Sequence, residues 1–212
     1  MGSPSTLLVI ADIAGYTRFL RMHAMSVVHA QDIVVQLLEA VIEAVKGDLT
    51  LAKLEGDAAF FHAPAPIDDA TLSRHAAAIH RAFHARCADL RRNTLCPCDG
   101  CRQAGELKIK VVAHVGHVTH QKIARRDELA GVDVILVHRL LKNDVPLAEY
   151  LLVTAPLLPR LTATDRETAT GLTLQIDELG ETSVWYVDLA TRAAAPATDA
   201  PRLSMTRRFS RH

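Results

Sequence analysis

The sequence predicts an α+β sandwich, a mixed sheet with helices packed on one face. Three observations carry that expectation. Apolar or alternating runs of strand length recur along the chain, two long stretches place apolar residues at helical spacing, and the two kinds begin in the order β-α-β-β-α-β. The hydrophobic fraction is 49% against 4% aromatic, so the core must be built from Leu, Val, Ile and Ala.

Residues 6–12 within "TLLVIADIAG" read as a buried strand. From 17 to 46, Leu20, Val27, Ile33, Leu37, Leu38, Val41 and Val45 keep helical spacing, and Gly47 supplies a stop. "DLTLAKLEGDAAFFHA" follows as a hairpin about Glu55-Gly56-Asp57, closed by Pro64 and Pro66. Residues 68–92 form an Ala-rich helix without Gly or Pro. A Cys-rich loop, 93–105, leads to "ELKIKVVAHVGHV", a long strand that opens with strict alternation. Residues 131–143 read as a short amphipathic helix halted before Pro146, and "EYLLVT" and "GLTLQIDELGETSVWYVDL" add strands turning at Gly180. The order is that of a ferredoxin-like βαββαβ core with additional C-terminal strands and helices. Residues 1–190 are expected to form this domain, and 191–212, Ala/Pro/Thr-rich and then basic, a flexible tail.

The bulk numbers exclude several classes. Lys and Arg total 24 and Asp and Glu total 24, so no basic field covers the domain and nucleic-acid binding is not expected. The tail arginines, Arg202, Arg207, Arg208 and Arg211, read as a solvated segment. No apolar run approaches the roughly 18 residues of a membrane span, and no signal-peptide pattern opens the chain. The expected compartment is the cytoplasm.

Asp12 ends an otherwise apolar strand, and Asp57 sits in the hairpin that a split βαβ topology places beside it. Two carboxylates across a short gap repel unless a cation lies between them, and Mg²⁺ held by carboxylate oxygens is the economical cation. On spacing alone the alternative stays open: Asp12 as a cap of the next helix and Asp57 as a turn residue.

Four segments together resemble the class III nucleotidyl cyclases. "ADIAGYTRF" is similar to the first-strand motif of that family, "KLEGDAAFF" to its Lys-x-x-Gly-Asp hairpin, "VVAHVGHV" to its His-x-Gly strand, and "LAGVDVILVHRL" to the segment running from a Gly to an Arg eight residues on. They occur in the family's order across residues 7–143. The resemblance implies Asp12 and Asp57 as ligands of Mg²⁺ or Mn²⁺, with the Ile13 carbonyl as a third. It implies Lys53 and Glu128 as readers of a purine base, adenine rather than guanine given a Lys donor, and Arg139 as the arginine that stabilises the transferring phosphate. The implied assembly is a homodimer, since the family's sites are shared between two subunits, and the implied reaction is ATP to cyclic AMP and pyrophosphate. The alternative is a degenerate homology domain that binds a nucleotide or a partner without chemistry.

The resemblance breaks at two places. Ile135 stands where the family has a catalytic Asn, and "IDELGETSVWY" carries Asp177, Glu178 and Glu181 where the family has a phosphate-binding Lys. His138, Lys142 and Asn143 are the nearby candidates to substitute. Losing such an oriented group typically costs ~10²–10³ in rate.

Cys87, Cys96, Cys98 and Cys101 could close a four-thiolate structural zinc site, with His84 as a substitute ligand; reduced or redox-active thiols are the competing expectation, and an iron–sulfur centre the third. His75, His80 and His84 are expected to be solvated, His114 to be a satisfied core residue, and His117 and His120 to lie on the surface.

Overall fold

The computed structural model describes residues 5–22, 27–93 and 103–194. Nine strands are present among them: β1 (Ser5–Ala14), β2 (Thr50–Glu55), β3 (Ala58–Pro64), β4 (Lys108–His117), β5 (Thr119–Ile123), β6 (Arg126–Ala130), β7 (Tyr150–Thr154), β8 (Thr170–Ile176) and β9 (Gly180–Asp188). The helices are α1 (Tyr16–Met22), α2 (Val27–Ala44), α3 (Thr71–Asn93), α4 (Val132–Arg139), α5 (Ala163–Thr168) and α6 (Leu189–Ala194). Seven strands form one sheet in the order β2-β3-β1-β4-β7-β9-β8, while β5 and β6 pair as a separate ribbon. The first four of that order, with β1 antiparallel to both neighbours, are the expected ferredoxin-like core. β7 adds parallel to β4, and β9 and β8 extend the sheet antiparallel.

The sheet is apolar on both faces, which corrects the expectation of helices on one face only. Leu7, Val9, Ala11 and Ile13 of β1 pack with Ile33, Leu37, Ile79 and Phe83 of α2 and α3. The intervening Leu8 and Ile10 join Phe60, Val112 and Leu152 beneath Val137 and Leu140 at the end of α4. A strand that alternates between two buried faces needs cover on both, and α4 supplies the second.

The helix expected over 17–46 is divided into α1 and α2, with 23–26 outside the described residues. The helix expected over 131–143 stops at Arg139, because the Asn143 side chain donates to the Leu140 carbonyl at 2.7 Å and competes with a further turn. The tail from 195, and Cys96, Cys98 and Cys101 with their loop, lie outside the described residues.

Candidate functional site

The hairpin turn is two residues, Gly56 and Asp57, with Gly56 at φ 68° in the first central position. It delivers Asp57 to the end of β1, where the Ile13 N–H donates to the Asp57 carbonyl at 3.1 Å. Asp12 pairs in register with Ala58 on one side and Lys110 on the other. Its carboxylate does not cap α1; it meets Lys110 Nζ at 2.9 Å, with both side chains mostly buried. Lys110 also donates to the Leu141 carbonyl at 3.3 Å. Sequence reasoning missed Lys110, although the alternation Lys108-Lys110-Val112 on one strand face was the available signal.

Burial, and then the neighbouring Asp12 charge, push the Asp57 carboxyl above its ordinary value, while its own backbone N–H and Lys110 act the other way. Two carboxylates therefore share a single ammonium and retain a deficit of positive charge. Hard oxygen donors with such a deficit fit Mg²⁺ or Mn²⁺. Ile13 buries its side chain in the helix-side core, which leaves only its backbone at the site.

The other named residues have neighbours of their own. Lys53 Nζ meets Glu55 Oε1 at 3.1 Å on the edge strand β2. Glu55 Oε2 lies 2.8 Å from His138 Nε2, whose Nδ1–H donates to the Val134 carbonyl at 2.7 Å. Glu128, half-buried on β6, stands opposite Gln121 of β5, and β6 lies against β2. Arg139 donates to the Asp177 carbonyl at 3.0 Å and to Glu178 Oε2 at 3.3 Å, both in the turn between β8 and β9. Arg139 thus faces the acidic turn.

A cavity of about 670 Å³ opens beside α4, lined by Ile135, His138, Arg139, Lys142 and Asp177 among others. Ile135 is 50% exposed there, as a hydrocarbon facing a polar space. Asn143 donates to Leu140 and to the Tyr150 hydroxyl and accepts from the Val145 N–H, so its amide is committed to the fold. His138 is committed to Glu55. Of the three candidate substitutes, Lys142 is the one that lines the cavity without a side-chain partner among the described residues.

α4 is positioned by its first turn. Asp133 accepts from the His117 N–H at 2.6 Å and lies 3.0 Å from His114 Nε2, while His114 Nδ1 lies 2.8 Å from Thr154 Oγ1. His114 is buried and bonded at both nitrogens, as expected of a core histidine. The His-x-Gly motif gains a physical reason here: a Cβ on Gly116 would lie 2.1 Å from Asp133 Cγ. The expectation of solvated histidines on α3 fails, since His75 and His80 are 7% and 5% exposed.

Residues 34–150 match the family model described as "Protein of unknown function (DUF2652)". "Uncharacterized protein Rv2561/Rv2562" of Mycobacterium tuberculosis is 48% identical over 162 residues, 76% of this chain and 76% of the relative. Among solved structures, the adenylyl cyclase CyaB from P. aeruginosa superposes with a TM-score of 0.59 at 14% identity, covering 94% of this chain and 96% of that one. The guanylate cyclase domain of RhGC from Catenaria anguillulae, solved with GTP, gives 0.60 at 14%, covering 87% and 96%. The catalytic core of a rhodopsin-guanylyl cyclase with converted specificity, in complex with ATPalphaS, gives 0.60 at 15% with the same coverage. At these identities the likeness to the solved structures establishes the fold. The chain belongs to the DUF2652 family, and its fold is that of the class III adenylyl/guanylyl cyclase catalytic domains.

Proposed function

We propose that this chain is a purine-nucleotide-binding domain of the cyclase type that pairs as a homodimer, holds ATP with Mg²⁺ or Mn²⁺, and has lost rapid cyclisation. One observation carries the reading: Asp12 and Asp57 meet at adjacent strand ends with one lysine between two carboxylates, a charge deficit that a divalent cation would relieve. Bound there, the ion would supply positive charge for nucleotide phosphates. Asp12 and Asp57 would hold it, while Lys53 and Glu128 would select adenine by donor and acceptor. A second copy would bring Arg139 towards the phosphates. The dimer is supported by exposed apolar side chains, Leu54 at 54%, Val132 at 62% and Ile135 at 50%, which a partner surface would cover.

The loss of rapid turnover follows from Ile135, which cannot donate a hydrogen bond, and from the acids at Asp177 and Glu178 that hold Arg139. Slow formation of cyclic AMP is the second reading, favoured by the place of Arg139 on the cavity wall. Thermal unfolding with ATP and Mn²⁺, read beside a cyclic AMP assay, tests both. Wild type should gain stability only when nucleotide and metal are both present, about 2.7 kcal/mol at a hundredfold excess over Kd. Asp57→Asn should lose that gain, and product should stay at the Asp57→Asn background. Product above that background selects the slow enzyme, and absence of any metal-dependent nucleotide stabilisation removes the proposal.

A further inference from the structure

The sheet face opposite Asp12 carries a second cluster. His80 and His84 lie four residues apart on α3 and so share one face of the helix. Glu149 immediately precedes β7 and projects to the same side as Leu151 and Val153, towards α3. Its Oε1 lies 2.5 Å from His84 Nε2 and 3.5 Å from His80 Nε2. One donor atom from each of the three residues falls within 4.8 Å of the other two. The two imidazole rings converge, with centroids 4.5 Å apart.

His80 and Glu149 each keep only 6% of their side-chain surface exposed. Within that enclosure His80 Nε2 makes no hydrogen bond of good geometry among the described residues, its nearest acceptor being Glu149 Oε1 at 3.5 Å. A buried histidine nitrogen left without a partner is uncommon, and a metal ion is one partner that completes it. The Ile109 N–H donates to Glu149 Oε1 at 3.4 Å, which fixes the carboxylate as an outer-shell donor does in metal centres. Two imidazoles and a carboxylate form a zinc-type donor set; tetrahedral coordination at ~2.1 Å sets ligand atoms ~3.4 Å apart, near the 3.5 Å His80–Glu149 spacing, and the 2.5 Å His84–Glu149 hydrogen bond would open as the ion takes the proton's place. His84 is 33% exposed, so a fourth position opens towards water.

We propose that His80, His84 and Glu149 bind one zinc ion between α3 and the start of β7. The centre is separate from the Asp12–Asp57 pair in residues and sheet face, and it stands whether or not the chain binds nucleotide. It shares His84, the substitute ligand, with the thiol site expected from the sequence, but takes no thiolate. Cys87, one turn beyond His84, is not among the converging donors, and its sulfur remains a protonated thiol. Lys108 Nζ, 3.7 Å from Glu149 Oε2, is the cation that the ion would displace; its half-exposed side chain can turn to solvent.

The test uses the full chain, stripped with a chelator and titrated with Zn²⁺ and with Co²⁺ as a spectroscopic stand-in. Cobalt at two imidazoles and a carboxylate gives visible d–d bands without the near-ultraviolet charge transfer that thiolates produce. The expected result is a tight equivalent with that spectrum, unchanged in Cys98→Ser, and lost in both His84→Ala and Glu149→Gln. Zn²⁺ should raise the wild-type unfolding temperature and leave that of His84→Ala unmoved. If either variant fails to fold, the wild-type cobalt spectrum decides alone. Thiolate charge transfer as the sole signature, no bound equivalent, or undiminished binding in His84→Ala overturns the assignment.

Discussion

Replacing Gly116 by Ala should destabilise the fold through one contact. The added Cβ would lie 2.1 Å from Asp133 Cγ and 2.4 Å from both Cβ and Oδ2, so the carboxylate must leave. It takes with it the bonds to the His117 N–H at 2.6 Å and to His114 Nε2 at 3.0 Å. An unsatisfied buried group costs about 1–3 kcal/mol; water can reach the His117 N–H, and Ala regains ~0.5–1 kcal/mol of backbone entropy over Gly in a strand. The net loss should be about 1–2 kcal/mol, read by urea unfolding through Trp185, the sole tryptophan. Asp133→Ala removes the same bonds without a clash, so the double variant should be no less stable than Asp133→Ala alone. The coupling then equals nearly the whole cost of Gly116→Ala.

A pH series adds a sign. Burial acts to raise the Asp133 carboxyl, but its bonds from His114 and the His117 N–H outweigh burial and hold it below the usual value. A depressed carboxylate stabilises the fold above its unfolded pKa of ~3.9, and that contribution fades as pH falls through the lower folded value. The gap between wild type and Asp133→Ala should therefore close in acid. Strict additivity of the two substitutions, or a cost for Gly116→Ala under ~0.5 kcal/mol, would refute the reasoning.

Three further outcomes are expected. Lys110→Met should raise the Asp57 carboxyl further and lower metal-free stability by about 1–3 kcal/mol, with Mn²⁺ restoring more of it than it adds to wild type; equal Mn²⁺ responses in differential scanning would count against a shared charge deficit. Cys87, whose thiol burial and then the Glu149 charge push up to about 11, should resist alkylation in the native state at pH 8 and react only on unfolding, as peptide mapping would reveal. Glu178→Gln should release Arg139 and tighten ATP by up to about fivefold, the reach of an exposed ion pair near 1 kcal/mol; weaker binding by calorimetry would contradict the view that this acid opposes nucleotide.

The core strands were legible because β1, β3 and β7 are continuous apolar runs, and the tight hairpin because Gly56 marks its turn. The β5–β6 ribbon was not. Its turn places Ala124 and Arg125 at φ 49° and 71° without the Asn-Gly signal, and every residue of β5 is exposed, so no alternation survives. The second helical layer was hidden for a related reason: an apolar run does not say which of its two buried faces a helix will cover. Asp12 was legible as a buried charge, but its partner was not, since Lys110 is adjacent only through strand pairing. The α3 histidines were not legible because their partners are remote in sequence: Glu149, sixty-five residues from His84, meets His80 and His84, and Asp48 meets His75.

Charge pairing around α4 explains why an intact pair of aspartates does not imply an active cyclase. Most basic side chains on this side of the sheet already have an acid from the same chain: Lys53 and His138 converge on Glu55, Arg139 meets Glu178 and Asp177, and Lys110 meets Asp12. A triphosphate entering here must exchange those contacts for its own, so its binding is worth only the difference. In the proposed reading the Asp12–Asp57 deficit would favour that exchange by drawing in a divalent cation, while the acidic β8–β9 turn would oppose it. Ile135 adds no polar contact to either side. With metal as the main favourable term, nucleotide affinity should follow divalent-cation concentration closely, and a site governed in that way is suited to retaining a nucleotide more than to turning it over.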